Sequence, residues 1–304
     1  MKPDLRHLIV AALSCTLLTG TASGLVQPDD ESWPVNPTVN PEDKDDPTVP
    51  EPDNSPNRGT GGGDPTSSPD PETETVTELV ETELVLSVDV SGSVDPAEYE
   101  LQLEGYIEAF RDPALHQVVS SGDGVGVTFL RWSSTTQQTM TKWYVLRTAD
   151  DCLEFASTIE DKLLTRPYAN NTNLSQAVRR AILAFDRNNI EGRYKVVDVS
   201  GDGVCNNWWY FTEGGENPTG EGLTHNNEYG WSWQSTRELA AESNVVINGI
   251  SIGDTEGLSD WYAEHVPSGD NSFTLHAEDF EQFKTAIKLK LLMELQSFLR
   301  TSHD

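Results

Sequence analysis

From Thr82 onward the chain alternates short apolar runs with stretches of helical period, and this alternation restricts it to a mostly parallel sheet covered by helices on both faces. ELVLSVDV reads as a buried strand that runs into Asp89-Val90-Ser91-Gly92-Ser93. Asp95, Pro96 and Glu98 then supply an N-cap, a first-turn proline and a capping-box partner, so a helix begins there. Tyr99, Leu103, Tyr106, Ile107 and Phe110 follow at helical spacing. GVGVTFLRW and TMTKWYVL read as strands joined by SSTTQQ, followed by helices over 149–164 and 174–186. The strand YKVVDVS, a long loop, a helix over 234–243 and the strands VVINGISI and SFTLH come next. A last helix carries the stripe Phe280, Phe283, Ile287, Leu291 and Phe298.

What precedes this segment has a different composition. Residues 1–24 place Lys2 and Arg6 before an apolar run from Leu8 to Leu18 and then small residues, the layout of a secretory signal cleaved after Ala22 or Gly24. The run is shorter than the roughly 20 apolar residues that span a bilayer, so no integral membrane span is expected in the mature chain. A lipoprotein acylated at Cys15 is the weaker reading, because Ala12 and Leu13 match the usual box poorly. Residues 25–79 mix Pro with Asp, Glu, Asn, Thr and Gly and offer almost no apolar surface to offset ordering, so they read as an extended acidic tether. The folded domain is therefore expected over 80–301, in a secreted, periplasmic or cell-envelope protein. A net charge of −30 excludes nucleic acid and anionic membrane as partners and favours cations.

In an open doubly wound sheet, ligands sit beyond the carboxyl ends of the strands. Three segments bring oxygen donors there: Asp89-x-Ser91-x-Ser93, Asn171-Thr172-Asn173, and Ser200-Gly201-Asp202-Gly203. Together they offer carboxylates and hydroxyls without thiolate or imidazole, donors that suit Mg²⁺, Mn²⁺ or Ca²⁺ and disfavour zinc. A helix cap needs one such residue, not three at alternate positions.

Asp89-x-Ser91-x-Ser93, a later Thr172 and then Asp202-Gly203 resemble the metal ion-dependent adhesion site (MIDAS) of von Willebrand factor type A (vWA) domains. DVSGSVDPAEY and KVVDVSGDGVCNN are similar to an uncharacterised branch of that family in secreted bacterial proteins. The resemblance covers nearly all of 80–301. It implies a Rossmann-like sheet of six strands in the order 3-2-1-4-5-6, with the third strand antiparallel at one edge. It also implies that Ser91, Ser93 and Thr172 touch a divalent cation, most simply Mg²⁺, while Asp89 and Asp202 act directly or through water. The partner would be a protein or glycan that offers a carboxylate to the ion, and the chain would not be an enzyme. Where the family has Gly-Gly before the threonine, this chain has Asn170-Asn171.

Gly201-Asp202-Gly203 also resembles the metal motif of haloacid dehalogenase-like phosphatases. Those enzymes need a second Asp two residues after the nucleophilic one, and Ser91 stands there. Between Val204 and Trp233 lies a long aromatic loop in which Trp208, Trp209, Tyr210 and Trp231 are candidate partner-binding residues. A self-packed flap accounts for the same residues equally well. The implied topology puts Cys152 and Cys205 at opposite ends of the sheet. A strand of five or six residues spans about 17 to 20 Å, and a disulfide tolerates a Cα separation of only about 4.4 to 6.8 Å, so two unpaired thiols are expected.

Overall fold

The computed structural model describes residues 77–134, 136–203 and 232–301. Its architecture follows from one strand, β1 (Glu78–Asp89), which is buried on both faces from Val80 onward. β1 pairs in parallel with β2 (Val125–Trp132) on one side and β5 (Ile190–Gly201) on the other. A strand with two partners and two covered faces has no solvated side, which is why ETELVLSVD lacks the polar alternation of a surface strand. β6 (Val245–Ile252) and β7 (Thr274–Ala277) continue the parallel sheet beyond β5.

At the other edge, β3 (Gln138–Met140) and β4 (Tyr144–Leu146) both run antiparallel to β2, giving the order β3-β2-β1-β5-β6-β7 with β4 also on β2. The expected order and antiparallel edge are present, but the third strand is broken in two. Leu130 faces Met140 whereas Val127 faces Tyr144, so the edge strand carries one residue more than its partner. Thr141 takes up the mismatch as a β-bulge: its N–H donates to the Phe129 carbonyl (3.0 Å), while its hydroxyl accepts the Phe129 N–H (3.0 Å).

The period of two in β1 sorts its side chains. Leu84, Leu86 and Val88 face a core built with α1 (Pro96–Arg111), α2 (Pro113–Val119), α3 (Ala149–Leu163) and α7 (Phe280–Thr301). Val85 faces a second core with α4 (Leu174–Ala184), α5 (Trp233–Glu242) and α6 (Leu258–His265). α1 starts as its sequence dictates: Asp95 accepts from the amides of Ala97 and Glu98, and Glu98 accepts from the Asp95 amide. α7 buries Phe280, Phe283, Ile287, Leu291 and Leu295; the Phe298 side chain lies outside the described residues. α2 and α6 are additions to the elements read from sequence. α6 packs against β6 where Gly249 has no side chain, since a Cβ there would come within 2.8 Å of Val266 Cγ1.

Cys152 is a buried free thiol in the first turn of α3, and burial pushes its pKa up to about 12. Cys205 lies outside the described residues.

Phe283 is fully buried, so Phe283→Ala is expected to cost about 3 to 5 kcal/mol in urea unfolding. Loss of the α1 cap in Asp95→Ala costs about 1 kcal/mol. A reversed order of the two effects would contradict the packing described.

Candidate metal centre

Asp89 is the last residue of β1, and Asp202 follows the last residue of β5, so adjacent parallel strands end side by side with a carboxylate each. Between them the β1–α1 loop turns sharply. The Ser91 N–H donates to Asp89 Oδ1 (2.7 Å), the Ser91 and Ser93 hydroxyls lie 3.2 Å apart, and Ser93 Oγ donates to Asp202 Oδ1 (2.8 Å). The alternate spacing of Asp89, Ser91 and Ser93 thus forms a row of oxygens from the buried end of β1 to the carboxylate of β5.

The third segment is held against the other two by the end of β2. Ser133 Oγ accepts from the Asn170 N–H (3.1 Å) and donates to the Asn171 carbonyl (2.9 Å), and the Ser133 carbonyl accepts from Asn173 N–H (3.0 Å). Asn173 caps α4 through its side chain on the Gln176 amide (3.1 Å). The Gly92 N–H donates to the Asn170 carbonyl (2.6 Å), an approach that leaves a Cβ on Gly92 only 3.3 Å from that oxygen. Asn170-Asn171, in place of two glycines, therefore still docks on the β1–α1 loop through its main chain. Thr172 is buried, with its hydroxyl 3.8 Å from where a Gly203 Cβ would stand. All five expected ligand residues gather at one end of the sheet.

Electrostatics set this cluster apart from an ordinary turn. Asp89 is fully buried, and its Oδ2 has no hydrogen-bond partner among the described residues. Burial raises its pKa well above the usual carboxylate range, and the Asp202 charge adds to the rise; the Ser91 hydrogen bonds and the Arg166 guanidinium oppose it. Burial also raises Asp202, against the Ser93 hydrogen bond. Arg166 is committed to the main chain, donating to the Ser91 carbonyl and to that of Val90 (3.2 Å from Nη2 and 3.3 Å from Nε). It steadies the loop without forming an ion pair to either carboxylate.

Sequence reasoning missed Tyr262. This fully buried α6 residue donates its hydroxyl to the Gly203 carbonyl (3.0 Å), and that hydroxyl oxygen lies 2.9 Å from the Cβ position of Gly201. The same Gly201 Cβ would meet Asp89 Oδ2 at 3.0 Å, so the glycine leaves room for the carboxylate and the phenol together. The spacing of Leu258, Tyr262 and Val266, all buried, is the signal that could have found α6.

Two carboxylates and three hydroxyls suit a hard cation that keeps some of its water. No group of three or more His, Cys, Asp or Glu able to hold a metal occurs among the described residues, and a donor set rich in hydroxyls is outside that description. Trp208, Trp209, Tyr210 and Trp231 lie outside the described residues.

The strand order, the antiparallel edge and the convergence of the Asp89–Ser93, Thr172 and Asp202 loops define a von Willebrand factor type A fold. More narrowly, the chain belongs to the family described as "Protein of unknown function (DUF1194)", whose profile matches residues 79–216 and 219–299. Among solved structures it is similar to the pilus adhesin SpaC from Lactobacillus rhamnosus GG, at 15% identity and a TM-score of 0.48, over 72% of this chain and 31% of that one. It is also similar to proximal thread matrix protein 1 from the mussel byssus with a zinc-occupied MIDAS motif, at 16% identity and a TM-score of 0.47, over 72% and 47% of the two chains. A von Willebrand factor type A protein from Catenulispora acidiphila matches at 11% identity and a TM-score of 0.42, over 70% and 42%. The chain thus spans less than half the length of each of these proteins. No curated protein matches it in sequence.

The raised pKa of Asp89 makes a signed prediction for the metal-free protein. A carboxyl raised by folding binds its proton more tightly in the folded state, so stability is greatest at low pH and falls as pH rises through the raised value. Asp89→Asn is therefore expected to raise the thermal midpoint in EDTA at pH 8 and to flatten its decline as pH rises above the ordinary carboxylate range. An unchanged or lower midpoint at pH 8 would show that the Asp89 charge is compensated.

Proposed function

We propose that residues 80–301 form a metal-dependent adhesion or protein-binding domain, in which Ser91, Ser93 and Thr172 hold a divalent cation through their hydroxyls and Asp89 and Asp202 do so directly or through water. The observation that carries this reading is the fully buried Asp89, one oxygen unpartnered among the described residues, at the head of a hydroxyl row that ends on Asp202. Burying an ionised carboxylate without a counter-charge is costly. A hard cation supplies that charge where the oxygen donors converge.

Mg²⁺ is the expected ion, with Mn²⁺ and Ca²⁺ as alternatives to be ranked by titration. When bound, it supplies a Lewis-acidic position that an acidic group of a partner can occupy. The chain's own part is to fix the loops: Ser133 and Asn173 hold the Thr172 segment, and Arg166 and Tyr262 pin the loops after β1 and β5. We read the domain as a binder and not an enzyme, because the second acidic group needed for phosphoryl transfer is absent at Ser91.

In this reading residues 1–24 export the chain, 25–79 tether the domain, and the protein works outside the cytoplasm or in the cell envelope. Among the described residues no helix is long and apolar enough to cross a membrane. The partner is a protein or glycan with an exposed carboxylate, and Trp208, Trp209, Tyr210 and Trp231 are proposed to contact it.

A ligand that binds the folded state alone at a hundredfold excess over Kd stabilises by about 2.7 kcal/mol. For a domain of this size that is a rise of roughly 5 to 10 °C. Mg²⁺ or Mn²⁺ is expected to produce such a rise in the wild-type chain and none in Asp89→Ala with Asp202→Ala. A shift that survives the double substitution would assign the ion elsewhere.

A further inference from the structure

The sheet face beneath α7 holds a charged cluster that the proposed cation site does not use. Lys290 of α7 is fully buried, with its Nζ against the Asp198 carboxylate of β5 and 2.5 Å from Oε1 of Glu294, one turn further along α7. Asp198 and Glu294 are buried as completely as the lysine, at 0% and 1% exposure. Asn248, the register neighbour of Asp198 on β6, donates from Nδ2 to the same Glu294 oxygen (2.7 Å), and its own carbonyl oxygen accepts from Phe273 N–H (2.9 Å). Two aromatic rings adjoin the cluster: the Phe273 ring centre is 5.7 Å from the lysine nitrogen, and Tyr106 of α1, whose hydroxyl lies 3.3 Å from that of Ser200, feels the charge of both carboxyls.

One amine and two carboxyls buried together cannot all keep their charges without a large desolvation cost. Burial raises the Asp198 pKa, against the pull of Lys290, and holds Glu294 up at about 7. An amine and a carboxyl held in contact, beside a second carboxyl that can carry a proton between them, are arranged for condensation.

We infer that Lys290 and Asp198 join in an intramolecular isopeptide bond, with Glu294 as the proton carrier. Proton transfer within the pair gives the neutral amine and the neutral acid. The lysine nitrogen adds to Asp198 Cγ, forming the C–N bond. Glu294 takes a proton from that nitrogen and returns one to the departing hydroxyl, the C–O bond breaks, and one water leaves. Glu294 ends in the protonation state in which it began, and no oxidant or reductant is consumed. Two buried charges are replaced by one amide that fastens the C-terminal helix to a strand of the central sheet.

The test is the mass of the full chain, isolated as produced and denatured, with its N terminus fixed by peptide mapping. The expected mass is one water below that of the sequence, with a branched tryptic peptide joining Asp198 to Lys290 and no cleavage after Lys290. Glu294→Gln is expected to give the full mass with the fold retained by circular dichroism, and Asp198→Asn is expected to lose ammonia and reach the wild-type product mass. A wild-type chain of full mass would overturn the inference and leave the cluster as an ion-pair network. A missing water without the branched peptide, or a wild-type chain one ammonia lighter through Asn248, would overturn it equally. Water loss that persists in Glu294→Gln would remove Glu294 from the reaction.

Discussion

The interaction on which the site depends is the placement of an ionisable group, Asp89, where water cannot reach it. β1 is buried without a break from Val80 to Asp89, and its carboxyl end delivers that side chain into the interior beside the end of β5. In a medium of low dielectric an uncompensated carboxylate is costly, whereas a hydroxyl or main-chain amide turned toward it is stabilising. The Ser91 amide, the hydroxyls of Ser91 and Ser93 and the link to Asp202 are that response, and they leave one Asp89 oxygen without a partner among the described residues. A cluster of this kind is costly without a nearby positive charge, and that cost is the basis of the proposed cation site.

The rest of the fold supports that placement. Parallel pairing on both sides of β1 brings the loops after β1, β2 and β5 to the same end of the sheet. The loop after β2 ties down the Thr172 segment through Ser133, and Tyr262 reaches across from α6 to the loop after β5. The close approach of α6 depends on Gly249, and the close approach of the Asn170 carbonyl depends on Gly92. Backbone contacts with little room for a side chain, more than side-chain pairs, fix the relative positions of the donors.

Much of this was legible in the sequence because its signals are local. Asp95-Pro96-x-Glu98 dictates the start of α1 through three neighbouring hydrogen bonds, and the alternate spacing of Asp89, Ser91 and Ser93 describes a turn without reference to distant residues. The features that escaped are those decided between segments. The bulge at Thr141 exists only against Phe129, so TMTKWYVL by itself reads as one strand. β1 begins at Glu78 and β5 at Ile190, earlier than their apolar runs, because Glu83 bonds to Asn188 Nδ2 and to the Gly192 N–H and joins the two strands there. Tyr262 was invisible because its role depends on α6 crossing to the loop after β5. The burial of Lys290 has no local signal, because its partner Asp198 lies on β5, far away in sequence.

The measurement that bears most directly on the central claim is an anomalous difference map from a crystal of the wild-type chain grown with Mn²⁺. The account predicts a single strong peak within coordination distance of the hydroxyls of Ser91, Ser93 and Thr172, with Asp89 and Asp202 bound to it directly or through water. A well-ordered map with all three loops visible and no peak among these oxygens would contradict it.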